Sequence, residues 1–441
     1  MRVRFWGTRG SIATPGPTTV HYGGNTSCVE LTTNAGEHLI FDCGTGARPL
    51  GSDLTARSLK PIHASLLIGH THWDHIQGFP FFAPAFVPGN KLDVYAPEGG
   101  QGSLQKILAG QMEHTYFPVE LAELPASISY FDLGEGSFKI GDVKITSQYL
   151  NHPAITLGYR VECDNAVVVY ITDHEPFAET LWRKGSEPGK IESILHEGDR
   201  RHANFMARAD LVIHDAQYTP AEYPAKKNWG HSTYEYVVEM AAAAGVQRVA
   251  LTHHDPNHDD AFVKEIEEDA RRVAKRRGAK LKVLCAYEGC TINLGAGKGR
   301  KSVTATDAVS SSTSTSGLRI LLVDDDNTLR KLTQAALRRE GYAVIEAVGG
   351  EEALKQIERE IPDLIILDFM MPDLNGIEVL KALRSTPRTA RLPVIMLTGM
   401  GDEESLREAF DAGATDYLSK PFSTPQLTAR IRACLSRSAN Q

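Results

Sequence analysis

Four side chains able to bind a metal crowd into six residues, His70-Thr71-His72-Trp73-Asp74-His75, directly behind the apolar run SLLIG. Three imidazoles and a carboxylate at this spacing are enough donors to begin two sites for zinc-class ions. Further donors end other apolar runs: Asp173 follows AVVVYIT and His253 follows RVALT. Two such ions about 3.5–4 Å apart activate water and clamp both oxygens of an in-line displacement at phosphorus, or attack a carbonyl. A single histidine is more often structural, so the weight lies in the set.

A second chemistry recurs further along. RILLV runs into Asp324-Asp325-Asp326, DLIIL into Asp368, PVIML into Thr398, and DYLS into Lys420-Pro421. One carboxylate among others near a divalent cation, with a hydroxyl and an ammonium beside it, suits transient aspartyl phosphorylation. The metal and Lys420 would neutralise phosphoryl oxygens, and Thr398 would hydrogen-bond the product.

Both sets need strands to carry them. Donors at the ends of neighbouring strands converge on one edge of a sheet, and both halves alternate short apolar runs with amphipathic stretches, the pattern of layered α/β architecture. The chain of 441 residues exceeds one hydrophobic core, so at least two domains are expected. The break falls at residues 296–317, AGKGRKSVTATDAVSSSTSTSG, a flexible linker by composition. All 16 histidines precede it, between His21 and His258. The expected division is a hydrolase module at 1–295, a linker at 296–317 and a second module at 318–438. Gly341 and Gly278 are expected to terminate helices.

With 42% hydrophobic and 23% charged residues the composition is that of a folded protein, and a net charge of −8 gives no footprint for bulk nucleic acid. Six cysteines without a CxxC pair argue for buried, reduced side chains. The N-terminus opens into strand alternation with no signal segment, and no run is long enough to span a bilayer, so a cytoplasmic protein without membrane attachment is expected. The basic run Arg271, Arg272, Lys275, Arg276, Arg277 is expected to be a solvated helix end. Ser232-Thr-Tyr-Glu235 fits a capping box opening a helix, which would set His231 before a helix N-terminus attractive to phosphate.

HTHWDH, with His152 in YLNHPAITLGYR, Asp173 in YITDHE, GHST at Gly230–Thr233 and His253 in LTHHDP, resembles the metallo-β-lactamase superfamily. The likeness covers roughly residues 1–295 and is strongest to the phosphodiesterase branch of ribonuclease Z-like enzymes and cyclic-nucleotide phosphodiesterases. It implies an αββα sandwich in which His70, His72 and His152 bind one metal, Asp74, His75 and His253 the other, and Asp173 bridges them. The metals implied are zinc, with manganese as the alternative. His231 would contact the phosphate or protonate the leaving oxygen, and Asp74 is the second residue expected in catalysis. His174 and His254 leave each ligand choice open by one position, either neighbour being a candidate support for the ligand beside it. Asp215 and His214 could orient His231 or cap their strand. His21, Tyr22 and Asn25 could line the pocket or simply belong to a connecting loop. With no long arm of the kind that grips transfer RNA, transfer-RNA maturation is disfavoured.

The second module resembles the receiver domain of two-component response regulators, over roughly Leu318–Ser438, with a doubly wound, flavodoxin-like fold implied. Asp368 would be the phosphoacceptor; Asp325, Asp324 and the Met370 carbonyl would handle Mg²⁺. Thr398 and Tyr417 would be the switch pair and the Lys420–Pro421 bond cis. A sensor histidine kinase or phosphotransfer protein is the implied partner. The whole chain is expected to be a phosphorylation-regulated hydrolase of a small phosphodiester, a homodimer being compatible and direct DNA binding not expected. The alternatives are a lactonase, thioesterase or lactamase, and a non-catalytic signalling adaptor.

Overall fold

Alternation starts at the second residue, where Val3 and Phe5 are buried between half-exposed Arg2 and Arg4. The computed structural model describes residues 1–98, 103–178, 180–183, 185–186, 188–278, 280–295, 318–372, 374–398, 412–420, 422, 427–428, 430–431 and 434–435. Two compact units divide at Ser310 and Ser311. The expected linker at 296–317 and Pro421 lie outside the described residues, as does the side chain of Tyr417.

The first unit has two seven-stranded mixed sheets. One runs in the order β14 (Thr291–Asn293), β1 (Arg2–Gly7), β2 (Cys28–Thr32), β3 (His38–Phe41), β4 (His63–Leu67), β5 (Lys91–Pro97), β6 (Ser127–Leu133). The other runs β13 (Lys282–Cys285), β12 (Arg248–Thr252), β11 (Leu211–Asp215), β10 (Ala166–Ile171), β9 (Leu157–Cys163), β8 (Val143–Tyr149), β7 (Gly136–Ile140). Phe41 stacks on Tyr170 at 4.9 Å and meets Tyr159 at 6.3 Å, so the two sheets face one another.

Helices cover the outer faces. α1 (Ala47–Arg57) and α3 (Leu104–Gly110) pack on Ile40, Leu66 and Val94 of the first sheet; α2 (Trp73–Ile76) is one turn bearing ligand candidates. α4 (Glu197–Met206), α5 (Tyr234–Ala243) and α6 (Asp260–Arg276) pack on Val169, Val212 and Val249 of the second. Period-2 alternation sends Val168 and Tyr170 inward and Val169 and Ile171 outward, which gives the αββα layering. β10, β11 and β12 are neighbouring parallel strands, so their C-terminal ends share an edge.

The second unit is a five-stranded parallel sheet in the order β16 (Ala343–Ala347), β15 (Arg319–Val323), β17 (Leu364–Asp368), β18 (Val394–Thr398), β19 (Asp416–Ser419). This is the flavodoxin-like 2-1-3-4-5 order of a doubly wound sheet. α7 (Asn327–Arg339), α8 (Gly350–Arg359) and α9 (Gly376–Ser385) accompany it. Gly341 and Gly278 sit just past α7 and α6 with φ of 88° and 64°, the left-handed conformation that ends a helix. Among the described residues, no helix is long and apolar enough to cross a membrane.

Candidate active site

Asp173 stands two residues past β10, and its two oxygens face different partners. Oδ2 lies 3.4 Å from His70 Nε2 and 3.7 Å from His152 Nε2. Oδ1 lies 3.3 Å from His75 Nε2 and 3.1 Å from His253 Nε2. Asp74 Oδ2 closes the second group, 3.2 Å from His75 Nε2 and 3.1 Å from His253 Nε2, while His72 Nδ1 is 3.4 Å from His152 Nε2. Donor atoms of His70, His72, His152 and Asp173 all lie within 4.8 Å of one another, as do those of Asp74, His75, Asp173 and His253. Tetrahedral bonds of about 2.1 Å put donors about 3.4 Å apart, the spacing seen here. Nε2 of His70 and Nε2 of His75 are buried without a hydrogen-bond partner, as lone pairs reserved for a cation would be. Imidazoles and carboxylates without thiolate suit zinc or manganese, so the residues fit two divalent cations.

Three of the imidazoles are held neutral, as metal ligands must be. Burial, then His75, holds His70 well below the ordinary imidazole range, and burial lowers His152 to about 3 and also lowers His72. His75 goes the other way: burial opposes its charge, but Asp74, Asp173 and Asp42 raise it. Burial would raise Asp74 and Asp173, yet His75 and His253 hold both far below the carboxylate range.

Second partners fix the rings. Asp42, one residue past β3, meets His75 Nδ1 at 2.7 Å and accepts from Tyr170 Oη at 2.6 Å and Gly69 N at 2.7 Å. Gln217 Oε1 holds His253 Nδ1 at 3.0 Å, and the Gly230 carbonyl holds His152 Nδ1 at 3.0 Å. Such partners set ring orientation and tautomer. Asp42 and Gln217 were not singled out from sequence; Asp42 follows the apolar run HLIF, so the strand-end rule could have found it. His253 has φ of 62°, and a Cβ on Gly10 would stand 2.2 Å from its Nδ1, so only glycine fits there.

His174 and His254 turn away from the cluster. His174 stacks on His202 at 3.8 Å and accepts from Asn151 N, while His254 Nε2 donates to the Ala286 carbonyl. Asp215 Oδ2 lies 3.3 Å from His231 Nδ1, whereas His214 points to His202, with 2.9 Å between Nε2 atoms. His231 sits beside both groups, its ring 5.5 Å from His152 and 4.9 Å from His253. Burial would lower His231, but Asp215 and then Asp173 raise it to about 9.

The capping expectation needs correction. The cap of α5 is Thr233, whose side chain accepts from Tyr236 N, because the Ser232 hydroxyl is drawn to the His174 carbonyl at 2.6 Å. Ser232 N donates to Asp215 and Tyr234 N to the Tyr218 carbonyl, so this helix start offers fewer free N–H groups to a phosphate than expected. The loop residues serve as anchors: Tyr22 donates to Glu267, Asn25 to Glu288, and exposed His21 stacks on Tyr287. Arg271, Arg272, Arg276 and Arg277 pair with Glu267, Asp269, Glu235 and Glu239, as a solvated helix end does. All six cysteines are free, five of them buried.

In the second unit, Lys420 Nζ lies 2.8 Å from Asp324 Oδ2 and 2.9 Å from Asp368 Oδ2. Carboxylate oxygens of Asp324, Asp325 and Asp368 lie within 4.8 Å of one another. Burial raises Asp368, Lys420 opposing, and the Thr398 hydroxyl is buried without a hydrogen-bond partner. Met370 follows Asp368 by two residues with its side chain exposed. Three carboxylates this close fit Mg²⁺.

Residues 37–254 match the Beta-lactamase superfamily domain and residues 320–432 the Response regulator receiver domain. The chain therefore joins a metallo-β-lactamase-fold domain to a response regulator receiver domain. Over the receiver it is 44% identical across 119 residues to the phosphate regulon transcriptional regulatory protein PhoB of Rhizobium meliloti (strain 1021), 27% of this chain and 52% of that one. It is 52% identical across 120 residues to the transcriptional regulatory protein CpxR of Escherichia coli (strain K12), 27% of this chain and 50% of that one. The chain thus spans about half the length of these curated relatives. Among solved structures it is similar to the metallo-beta-lactamase fold protein YhfI from Bacillus subtilis, at 16% identity and TM-score 0.46, covering 66% of this chain and 98% of that one. The short form of human tRNase Z is similar at 21% identity and TM-score 0.43, covering 66% and 99%.

Proposed function

We propose that the N-terminal domain is a dinuclear-metal phosphodiesterase for cyclic nucleotides or other small phosphodiesters, and that phosphorylation of Asp368 by a sensor kinase or phosphotransfer protein regulates it. His231 carries this reading, because it lies beside both donor groups with Asp215 on its Nδ1. His70, His72, His152 and Asp173 would hold one divalent cation and Asp74, His75, His253 and Asp173 the other, zinc or manganese by donor type. Bound there, the pair would supply an activated water and neutralise charge on the phosphoryl oxygens.

The protein's own part is orientation and proton delivery. The Asp215 carboxylate fixes the His231 tautomer and stabilises its charged form, leaving Nε2 to donate a proton to the departing oxygen. Asp42, Gln217 and the Gly230 carbonyl keep three ligand rings from rotating. In the receiver, Asp324, Asp325 and the Met370 carbonyl would hold Mg²⁺, with Thr398, Lys420 and Tyr417 reading the phosphorylated Asp368.

Metal content and turnover of a panel of cyclic nucleotides and bis-aryl phosphates test the proposal. The expected result is about two metals per chain, with kcat falling roughly a hundredfold to ten-thousandfold in His231→Ala. No turnover of any phosphodiester by metal-loaded protein overturns it, and lactones and thioesters then become the substrates to try. Equal rates with and without a phosphoryl mimic remove the regulatory part.

A further inference from the structure

Two tryptophans are the chain neighbours of residues that touch His152, and they come from separate stretches of chain. Trp73 adjoins His72, whose Nδ1 is 3.4 Å from His152 Nε2; Trp229 adjoins Gly230, whose carbonyl holds His152 Nδ1 at 3.0 Å. Both indoles are exposed, Trp73 at 76% and Trp229 at 57%. A single exposed aromatic is unremarkable in a soluble protein, but two, each adjoining a residue that holds the same ligand candidate, are not accounted for by packing.

The turn that presents Trp229 is firmly held. Glu175, a carboxylate only 8% exposed, accepts from Asn228 N at 2.7 Å, Gly230 N at 2.9 Å and Tyr223 Oη at 2.8 Å. Asn228 and Gly230, on either side of the indole, have φ of 67° and 89°, and a Cβ on Gly230 would stand 2.1 Å from His152 Nδ1. Lys226 Nζ lies 4.2 Å from the centre of the Trp229 ring and 5.9 Å from that of Tyr218, whose edge meets His231 at 5.8 Å. A buried carboxylate and two left-handed residues thus fix the position of a side chain that itself stays in water.

We infer that Trp229, with Trp73 and Lys226, is the specificity-determining element of this site, stacking the base of a nucleotide whose phosphate lies at the metal cluster. Every nucleobase has a π-face, so the element selects for a base without dictating which one. Lys226 covers one side of Trp229 and adds positive charge suited to an anionic substrate. The assignment deepens the phosphodiesterase proposal and rests on it for the location of the phosphate.

Calorimetric titration of the metal-loaded full chain with adenosine 5′-monophosphate and, separately, ribose 5-phosphate tests it, because the two differ only by the base. Wild type should prefer the nucleotide by roughly tenfold to a hundredfold, the range of one base stacked on one aromatic ring. Trp229→Ala should remove most of that preference while leaving ribose 5-phosphate binding unchanged; Trp229→Phe should restore part of it, and Trp73→Ala should reduce it. Equal affinity for the two ligands in wild type, binding of neither at millimolar concentration, or an unaltered preference in Trp229→Ala with native melting behaviour overturns the inference. Its failure is separable from that of the phosphodiesterase proposal. Diester turnover without base preference removes the aromatic element alone, whereas base preference without diester turnover removes the hydrolytic role and leaves the element in place.

Discussion

The two donor clusters solve different problems with the same device, side chains placed at the ends of parallel strands. In the metallo-β-lactamase-fold domain, seven donor residues are supplied by several strand ends and one helical turn, and at least three of the rings are held by a second partner. In the receiver, three carboxylates and Lys420 meet directly, with one carboxylate exposed. On the proposed reading, a densely supported imidazole set would retain ions through many turnovers, whereas an open, hard-oxygen set would admit an ion and a phosphoryl group transiently. Persistent against transient charge is the contrast to test.

The sharpest break comes from removing the shared ligand. Asp173→Ala should lower metal content below two per chain, measured by atomic emission, and reduce hydrolysis by about a thousandfold or more, since several kcal/mol of transition-state stabilisation passes through the ions. Retained metal and rate would mean that the two groups are independent sites.

Acid should separate the domains next. All 16 histidines lie at or before His258, and His214, buried against His202, is lowered by burial to about 4. An imidazole lowered in the folded state contributes its full stability above the unfolded value near 6.5 and loses it as pH falls toward 4. The loss should reach about 3 kcal/mol. All 4 tryptophans also lie in the metallo-β-lactamase-fold domain, so their fluorescence in protein stripped by chelator reports its unfolding alone. Moving from pH 7 to pH 4 should cost His214→Gln less stability than wild type; equal losses would show that His214 stays neutral in both states.

A smaller effect belongs to Asp42→Asn, which keeps size but removes the charge beside His75. Metal affinity should fall about tenfold to a hundredfold, the usual consequence of altering a ligand's supporting partner, as read by competition with a chromophoric chelator. No change would assign Asp42 to the sheet interface with Tyr170 instead.

What the sequence displayed depended on whether a residue's direction follows from strand periodicity. Asp173 and His253 were visible because apolar runs lead into them, and the receiver's acids were visible in the same way. The choice of His253 over His254 came only through the resemblance, because it rests on a left-handed backbone at His253 that pairwise spacing does not encode. The cap of α5 moved from Ser232 to Thr233 for a comparable reason: the serine hydroxyl found the His174 carbonyl, a partner 58 residues away in the chain. Gln217 carries no local signal, since its role is created by the distance from β11 to β12 rather than by any motif.

If both groups take cations as proposed, the divided carboxylate of Asp173 makes their occupancy a matter of linkage. Because one oxygen serves each group, filling either changes the charge and freedom of the ligand offered to the other. By reciprocity, whatever the first ion does to the affinity for the second, the second does equally to the first. Metal uptake by this domain would then not be the sum of two independent isotherms.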